Sequence, residues 1–97
     1  MKKFIKGTFE LDTNVTDLIK YEKKHDTMLN QLIEWADSLG VALNIGTSED
    51  NTYLCEYKIV GNTASYCKSL CSELRQILKN EFPKTKSLWQ GSGDILF

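Results

Sequence analysis

Residues 52–83 read TYLCEYKIVGNTASYCKSLCSELRQILKNEFP, and the spacing of the apolar residues changes once along them. They first occur at every second position, the spacing of a half-buried strand, at Tyr53, Cys55, Tyr57 and Ile59. After a capping segment, Gly61 to Thr63, they recur at every third or fourth position, at Ala64, Cys67, Leu70, Cys71, Leu74, Ile77, Leu78 and Phe82. This pattern predicts a strand over 52–60, followed by a helix that Pro83 ends.

Three further strands are predicted from alternation. The segment Val41 to Ile45 alternates, and the polar residues 46–51 join it to the strand over 52–60 as a hairpin. Near the start of the chain, Lys3 to Leu11 alternates with Ile5, Phe9 and Leu11 on one face and with Phe4, Lys6, Thr8 and Glu10 on the other. The segment 85–97 is predicted to be the last strand, with a bulge or bend at Gly91-Ser92-Gly93.

The first helix is predicted to lie within 14–39, with Asp12-Thr13-Asn14 as its cap and Gly40 as its stop. Its apolar positions are Val15, Leu18, Ile19, Leu29, Leu32, Ile33, Ala36 and Leu39. Glu22 and His25 also fall within this stripe, where a buried face would not place them. Two hypotheses follow: the first half projects beyond the core as an exposed arm, or the helix breaks at His25-Asp26-Thr27 and restarts.

The element order is therefore β-α-β-β-α-β, and the 97 residues are expected to form a single domain, 1–97. Two β-α-β halves joined by a hairpin are typical of the ferredoxin-like α+β sandwich. In that fold both helices cover one face of a four-stranded antiparallel sheet, and the first and third strands are central. The other face of the sheet is left open, so it is the first place to look for function.

Composition excludes several classes of protein. The chain is 41% hydrophobic and has a formal net charge of −1, so it lacks the basic field of most nucleic-acid binders. Arg75 is the only arginine among 12 basic residues. No apolar run is long enough for a membrane span or signal peptide, and three cysteines without a CxxC motif indicate reduced thiols. The expected location is the cytoplasm.

The side chains needed for catalysis are scarce, and we expect no enzyme activity. His25 is the only histidine, and neither a nucleophile motif nor a phosphate-binding glycine loop is present. Cys55, Cys67 and Cys71 occupy positions that the periodicity assigns to the core. No catalytic residue, metal site or cofactor is predicted.

The expected function is protein association, either as a homodimer or as an inhibitor or adaptor of a larger protein. Lysine-rich orphan domains of this size are common among accessory proteins of phages and mobile elements. The expected function therefore includes that of an accessory protein of this kind. On the open face the expected partner-binding residues are Phe4, Leu54 and Leu88. Tyr21, Met28 and Trp35, seven residues apart, form a second candidate ridge on the first helix, unless they cap the edge of the core.

Single-stranded nucleic-acid binding is the alternative. The RNA recognition motif has the same element order and stacks bases on aromatic residues of its two central strands. Here the stacking residues would be Tyr53, Tyr57 and Trp89, provided that the third strand turns both tyrosines outward. The third strand lacks the aromatic signature of that motif, and Glu10 and Glu56 would repel phosphate.

Overall fold

The described part of the chain contains six elements in the predicted order. A computed structural model describes residues 2–11, 17–47 and 54–95. The elements are β1 (Lys2–Glu10), α1 (Leu18–Leu39), β2 (Ala42–Thr47), β3 (Leu54–Gly61), α2 (Ala64–Glu81) and β4 (Lys86–Ile95). The result is an α+β fold with a four-stranded sheet and two helices.

All neighbouring strands of the sheet are antiparallel, in the order β2-β3-β1-β4, so that β1 and β3 are central. The β1 to β4 pairing has one irregularity: Thr8 faces Trp89 and Phe9 faces Ser87, which leaves Leu88 as the extra residue. The predicted bulge or bend at Gly91-Ser92-Gly93 is wrong, because all three residues pair with β1 in regular register.

One hydrophobic core lies between the inner face of the sheet and both helices. The sheet contributes Ile5, Phe9, Cys55, Tyr57 and Ile59, and α2 contributes Cys67, Leu70, Cys71, Leu74 and Leu78. The rings of Phe9 and Tyr57 are stacked, with centroids 4.9 Å apart. Burial of a side chain the size of Leu, Ile or Phe stabilises the fold by about 1.5–3 kcal/mol. The burial of all three cysteines and of the predicted core faces of β1, β3 and α2 is confirmed, except that Ala64 is exposed and Ile77 is only partly buried. Tyr53 lies outside the described residues.

Helix α1 is continuous, and both hypotheses about its first half are wrong. Thr27 does not cap a new helix; its hydroxyl donates back to the carbonyl of Lys23. The first half does not project as an arm, because Tyr21 packs on Phe82 with ring centroids 5.4 Å apart. The buried residues of α1 are Tyr21, Met28, Leu32 and Ala36.

Capping side chains position the helix ends. The carboxylate of Asp17 accepts from the backbone of Ile19 and Lys20 at the start of α1, and Gly40 ends this helix in the left-handed conformation with φ 66°. Thr63 accepts from the backbone of Tyr66 at the start of α2, as predicted. The predicted cap at Asp12-Thr13-Asn14 lies outside the described residues. Within the described chain, neither helix is apolar enough along its length to cross a membrane.

Candidate functional site

The face of the sheet that points away from the helices is called the open face here. Register places Phe4, Lys6, Thr8 and Glu10 of β1 beside Val60, Lys58, Glu56 and Leu54 of β3. Side chains of a strand alternate between its two faces, and the neighbours of these residues form the core. Both helices of the described chain therefore lie on the opposite side, and neither covers the open face.

Two lysines face each other at the centre of the open face. Lys6 and Lys58 are directly paired across β1 and β3, an arrangement that places like charges side by side and is destabilising. Their ammonium groups lie 5.9 and 5.0 Å from the centroid of the Phe4 ring. Cation–π attraction of about 0.5–1 kcal/mol at an exposed site partly offsets the repulsion. The ion pair found in the described chain joins Lys3 to Asp94 and involves neither of them.

A glycine of β4 makes room for an aromatic ring of this face. Gly93 pairs with Phe4, and a Cβ atom at Gly93 would lie 2.9 Å from Cζ of the Phe4 ring. A Cβ atom at Gly91 would lie 3.8 Å from Cζ3 of Trp89, which is an ordinary van der Waals distance. Gly93 thus admits the Phe4 ring over the strand, whereas the Trp89 ring does not require a glycine at position 91.

The bulge in β4 brings two large apolar side chains to the surface. Leu88 is the extra residue, and Trp89 pairs with Thr8 on the neighbouring strand. The side chains of Leu88 and Trp89 are each 50% exposed. Isolated exposed apolar residues are ordinary, but two consecutive large ones form a patch suited to contact.

A shallow trough of about 540 Å³ crosses the open face beside the lysine pair. Gly46 leaves it open on the β2 side, because a Cβ atom there would meet no heavy atom within 4 Å. The side chains along it include Lys6, Asn44, Thr47, Glu56, Lys58 and Trp89. This set comprises two cations, one anion, neutral hydrogen-bonding groups and an indole, which suits recognition of a polar ligand with an apolar portion.

The structure brings three of the predicted partner-binding residues, Phe4, Leu54 and Leu88, to the open face or its bulge. Tyr21 and Met28 are not available to a partner, because they are 6% and 0% exposed and belong to the core. The helix ridge predicted from these residues is therefore wrong. Trp35 is half-buried against the same core.

Of the residues predicted to stack nucleic-acid bases, one points inward and one lies at the surface. Tyr57 points inward, its hydroxyl 3.4 Å from Sγ of Cys71, so β3 is not turned over and this ring cannot stack a base on the open face. Trp89 is half-exposed on the trough. Tyr53 lies outside the described residues. The stacking set as predicted is wrong at Tyr57.

Sequence reasoning missed the Lys6–Lys58 pair, although alternation places both residues on the open face. What brings them together is the pairing register of β1 with β3, strands separated by the whole of α1 and β2. Glu56 and Glu10 lie in the two rows beyond the lysines, on one side only. The row of the lysine pair therefore contains no carboxylate, whereas the row of Glu10 also contains Lys86 of β4.

A second depression, of about 320 Å³, lies at the first half of α1 and the end of β2. His25 lines it, and Nε2 of its ring is 3.2 Å from Oγ1 of Thr47. Burial lowers the pKa of His25, and the nearby Asp26 partly opposes this effect. His25 is therefore a neutral hydrogen-bonding partner near pH 7.

No protein-family model matches the chain, and no curated protein sequence matches it either. Two solved structures share its fold over nearly its whole length. The structural-genomics protein YJCS superposes with a TM-score of 0.65 at 12% identity, covering 99% of this chain and 100% of that one. The de novo designed protein Foldit4 superposes with a TM-score of 0.62 at 10% identity, with the same coverage. At these identities the likeness concerns the fold alone.

Proposed function

We propose that the chain is a non-enzymatic, ferredoxin-like binding module of the cytoplasm that binds another protein through its open face. Two features support the ferredoxin-like assignment: the element order β-α-β-β-α-β and the central position of β1 and β3. Function is argued from the site, because this architecture serves many unrelated activities.

The observation that carries the proposal is the apolar patch at the bulge. Leu88 and Trp89 are each 50% exposed. Trp89, which pairs with Thr8, lies on the side of the sheet that no described helix covers, and Leu88 precedes it at the bulge. Tryptophan is enriched among the residues that dominate protein interfaces, because it buries a large area at a small entropic cost. Polar residues of the trough lie on one side of this patch, next to Trp89, as in the rim of an interface.

Side-chain chemistry supports binding rather than catalysis. Burial, with a smaller effect of Glu56, raises the pKa of Cys55 to about 12, so this thiol does not form a thiolate near neutral pH. Burial and the hydrogen bond to Cys71 also raise the pKa of Tyr57. His25 lines a different depression from the trough, and its partner Thr47 borders both. The described residues that line the trough include no cysteine.

The proposed partner is either a second copy of the chain or a larger protein for which the chain is an inhibitor or adaptor, for example a phage or mobile-element accessory protein. These alternatives differ in a simple observable. A homodimer shows twice the mass in solution, whereas an adaptor is a monomer until its target is present.

Single-strand nucleic-acid binding is retained as a second candidate because of one observation. Lys6 and Lys58 lie beside the Phe4 ring and share the trough with Trp89. Cations next to an exposed indole are the elements of a base-stacking site. Stacking would then use Trp89 and not Tyr57.

The test compares two pairs of exposed apolar residues. The double variant Leu88→Ala, Trp89→Ala removes the patch, and Ile33→Ala with Leu39→Ala removes apolar side chains that are 51% and 45% exposed on α1. We measure mass by size-exclusion chromatography with light scattering, and capture of partners from host lysate. The patch variant is expected to lose association while both variants melt as the parent does. A chain that is strictly monomeric and captures no protein contradicts the proposal, as does association that survives removal of the patch.

A further inference from the structure

We infer that the Lys6–Lys58 pair is a carboxylate-binding subsite, and that the occupant of the open face is an extended, acidic segment of a partner protein. This inference rests on the proposed function and adds the chemistry of the partner. It comes from the charges, the register and the shape of the trough.

The described chain leaves the charges of Lys6 and Lys58 without a carboxylate partner. Two ammonium groups approach one aromatic ring, and neither forms an ion pair with a carboxylate of the described residues. Lys6 is exposed, so its charge is accessible from solvent. An anion placed between the two lysines would replace repulsion with two charge-assisted hydrogen bonds.

The residues next to the lysine pair determine how a carboxylate can approach it. In the row of the lysine pair, the neighbour on β4 is Gly91 and the neighbour on β2 is Asn44. In the next row the β2 residue is Gly46, beside which there is open space. A carboxylate can therefore approach over Gly46 on the β2 side, while the Trp89 ring lies close to Gly91 on the β4 side. The Asn44 amide can donate a further hydrogen bond.

The carboxylate of Glu56 favours a protein partner over a nucleic acid. Glu56 lies one row beyond Lys58, about 7 Å along the strand, and it pairs with Thr8 and Gly46 and not with a cation. Glu10 lies in the row after that, where it pairs with Lys86 of β4. A nucleic-acid strand carries a phosphate at every nucleotide and would place some of them against the Glu56 carboxylate. An acidic side chain in a polypeptide is isolated and avoids this repulsion. The arrangement therefore favours a protein segment over a polyanion.

The position of Trp89 relative to the lysine pair indicates the spacing of side chains in the partner segment. Trp89 lies in the row next to the lysine pair, since it pairs with Thr8 and Lys6 pairs with Gly91. Along an extended peptide, every second side chain points the same way, at a similar spacing. The fitting segment thus carries an acidic residue and, two positions away on either side of it, an apolar residue that contacts Trp89.

The experiment uses three fluorescein-labelled probes and fluorescence anisotropy. The first is a capped peptide made of three Glu-Ser-Leu-Ser repeats, the second has Gln in place of each Glu, and the third is an oligothymidylate of similar length. The acidic peptide is expected to bind about tenfold more tightly than the Gln peptide, the effect of one charged hydrogen bond. Added salt should weaken the binding of the acidic peptide.

Matched variants locate the effect. Lys6→Met with Lys58→Met retains the aliphatic stems and should abolish the preference for the acidic peptide. Lys20→Met with Lys24→Met changes net charge equally on the exposed surface of α1 and should leave the preference unchanged. The single variants Lys6→Met and Lys58→Met serve if the double variant does not fold.

The outcomes separate this inference from the proposed function. Equal binding of both peptides overturns the carboxylate subsite and leaves protein binding by the open face in place. Tighter binding of oligothymidylate than of either peptide overturns both in favour of the nucleic-acid candidate. If no probe binds at about 1 mM, the subsite is overturned, and the solution mass and capture experiment alone decides the proposed function.

Discussion

The ring of Phe4 lies over Gly93, its antiparallel partner in β4, so closely that a Cβ atom on Gly93 would be 2.9 Å from Cζ and 3.0 Å from Cε1. The same ring is approached by the ammonium groups of Lys6 and Lys58. The absence of a side chain at Gly93 therefore helps to determine where the ammonium groups of Lys6 and Lys58 lie.

Gly93→Ala should displace the Phe4 ring and lower stability by about 1 kcal/mol, because the obstructing atoms belong to the far end of a side chain that can turn aside. Urea denaturation measures the stability, and the proton shifts of Phe4 report the ring position. Ser92→Ala, a change at an exposed neighbour, is the control. Unchanged ring shifts in Gly93→Ala would contradict the close contact.

Gly7 and Gly46 should respond in opposite ways to alanine. A Cβ atom at Gly7 would collide with the Trp89 carbonyl oxygen and lie 2.8 Å from Oη of Tyr57, so the backbone must move, and we expect a loss of about 3 kcal/mol. At Gly46 the space is open and φ is not positive, so alanine should stabilise the fold by about 0.4–1 kcal/mol. Chemical denaturation of both variants tests this order, and a larger loss at Gly46 would refute it.

The three thiols should resist alkylation while the protein is folded. Cys55, Cys67 and Cys71 are 0%, 1% and 4% exposed, and burial raises the pKa of Cys55 to about 12. Iodoacetamide near pH 8 should therefore modify the native chain at the rate at which it opens, and the denatured chain at once. Mass spectrometry counts the modified sites. Rapid reaction of Cys67 or Cys71 in the native protein would place these residues at the surface.

The elements whose sides differ most in polarity could be predicted from the sequence. In α2 the apolar residues define a single stripe, and in β3 Glu56 and Lys58 alternate with Cys55, Tyr57 and Ile59, so one choice of buried face is favoured. In α1 the apolar residues surround much of the helix, and Ile33 is 51% exposed although it is as apolar as Leu32. The buried stripe there is set by packing, which admits Tyr21 and Met28.

The site was less predictable, because it depends on relationships between strands that are distant in sequence. Alternation assigns Phe4, Lys6 and Lys58 to the open face, but only the register pairs the two lysines. The need for a glycine at position 93 is likewise recognised only from the pairing, which places Phe4 opposite to it. A glycine in a strand is compatible with a bulge or with a close approach, and local sequence does not distinguish them.

His25 should make stability depend on pH in the range where histidine titrates. Burial lowers its pKa in the folded chain below the ordinary value of 6.5, so the unfolded chain binds the proton more readily. The contribution of His25 to the free energy of unfolding is therefore complete above pH 6.5. It is lost as the pH falls through the lower pKa of the folded state. His25→Gln does not titrate and can still bond to Thr47, so the parent should lose stability relative to this variant between about pH 7.5 and pH 5.5. Urea midpoints across that range measure the difference, and a constant difference between the two proteins would show that His25 is not responsible.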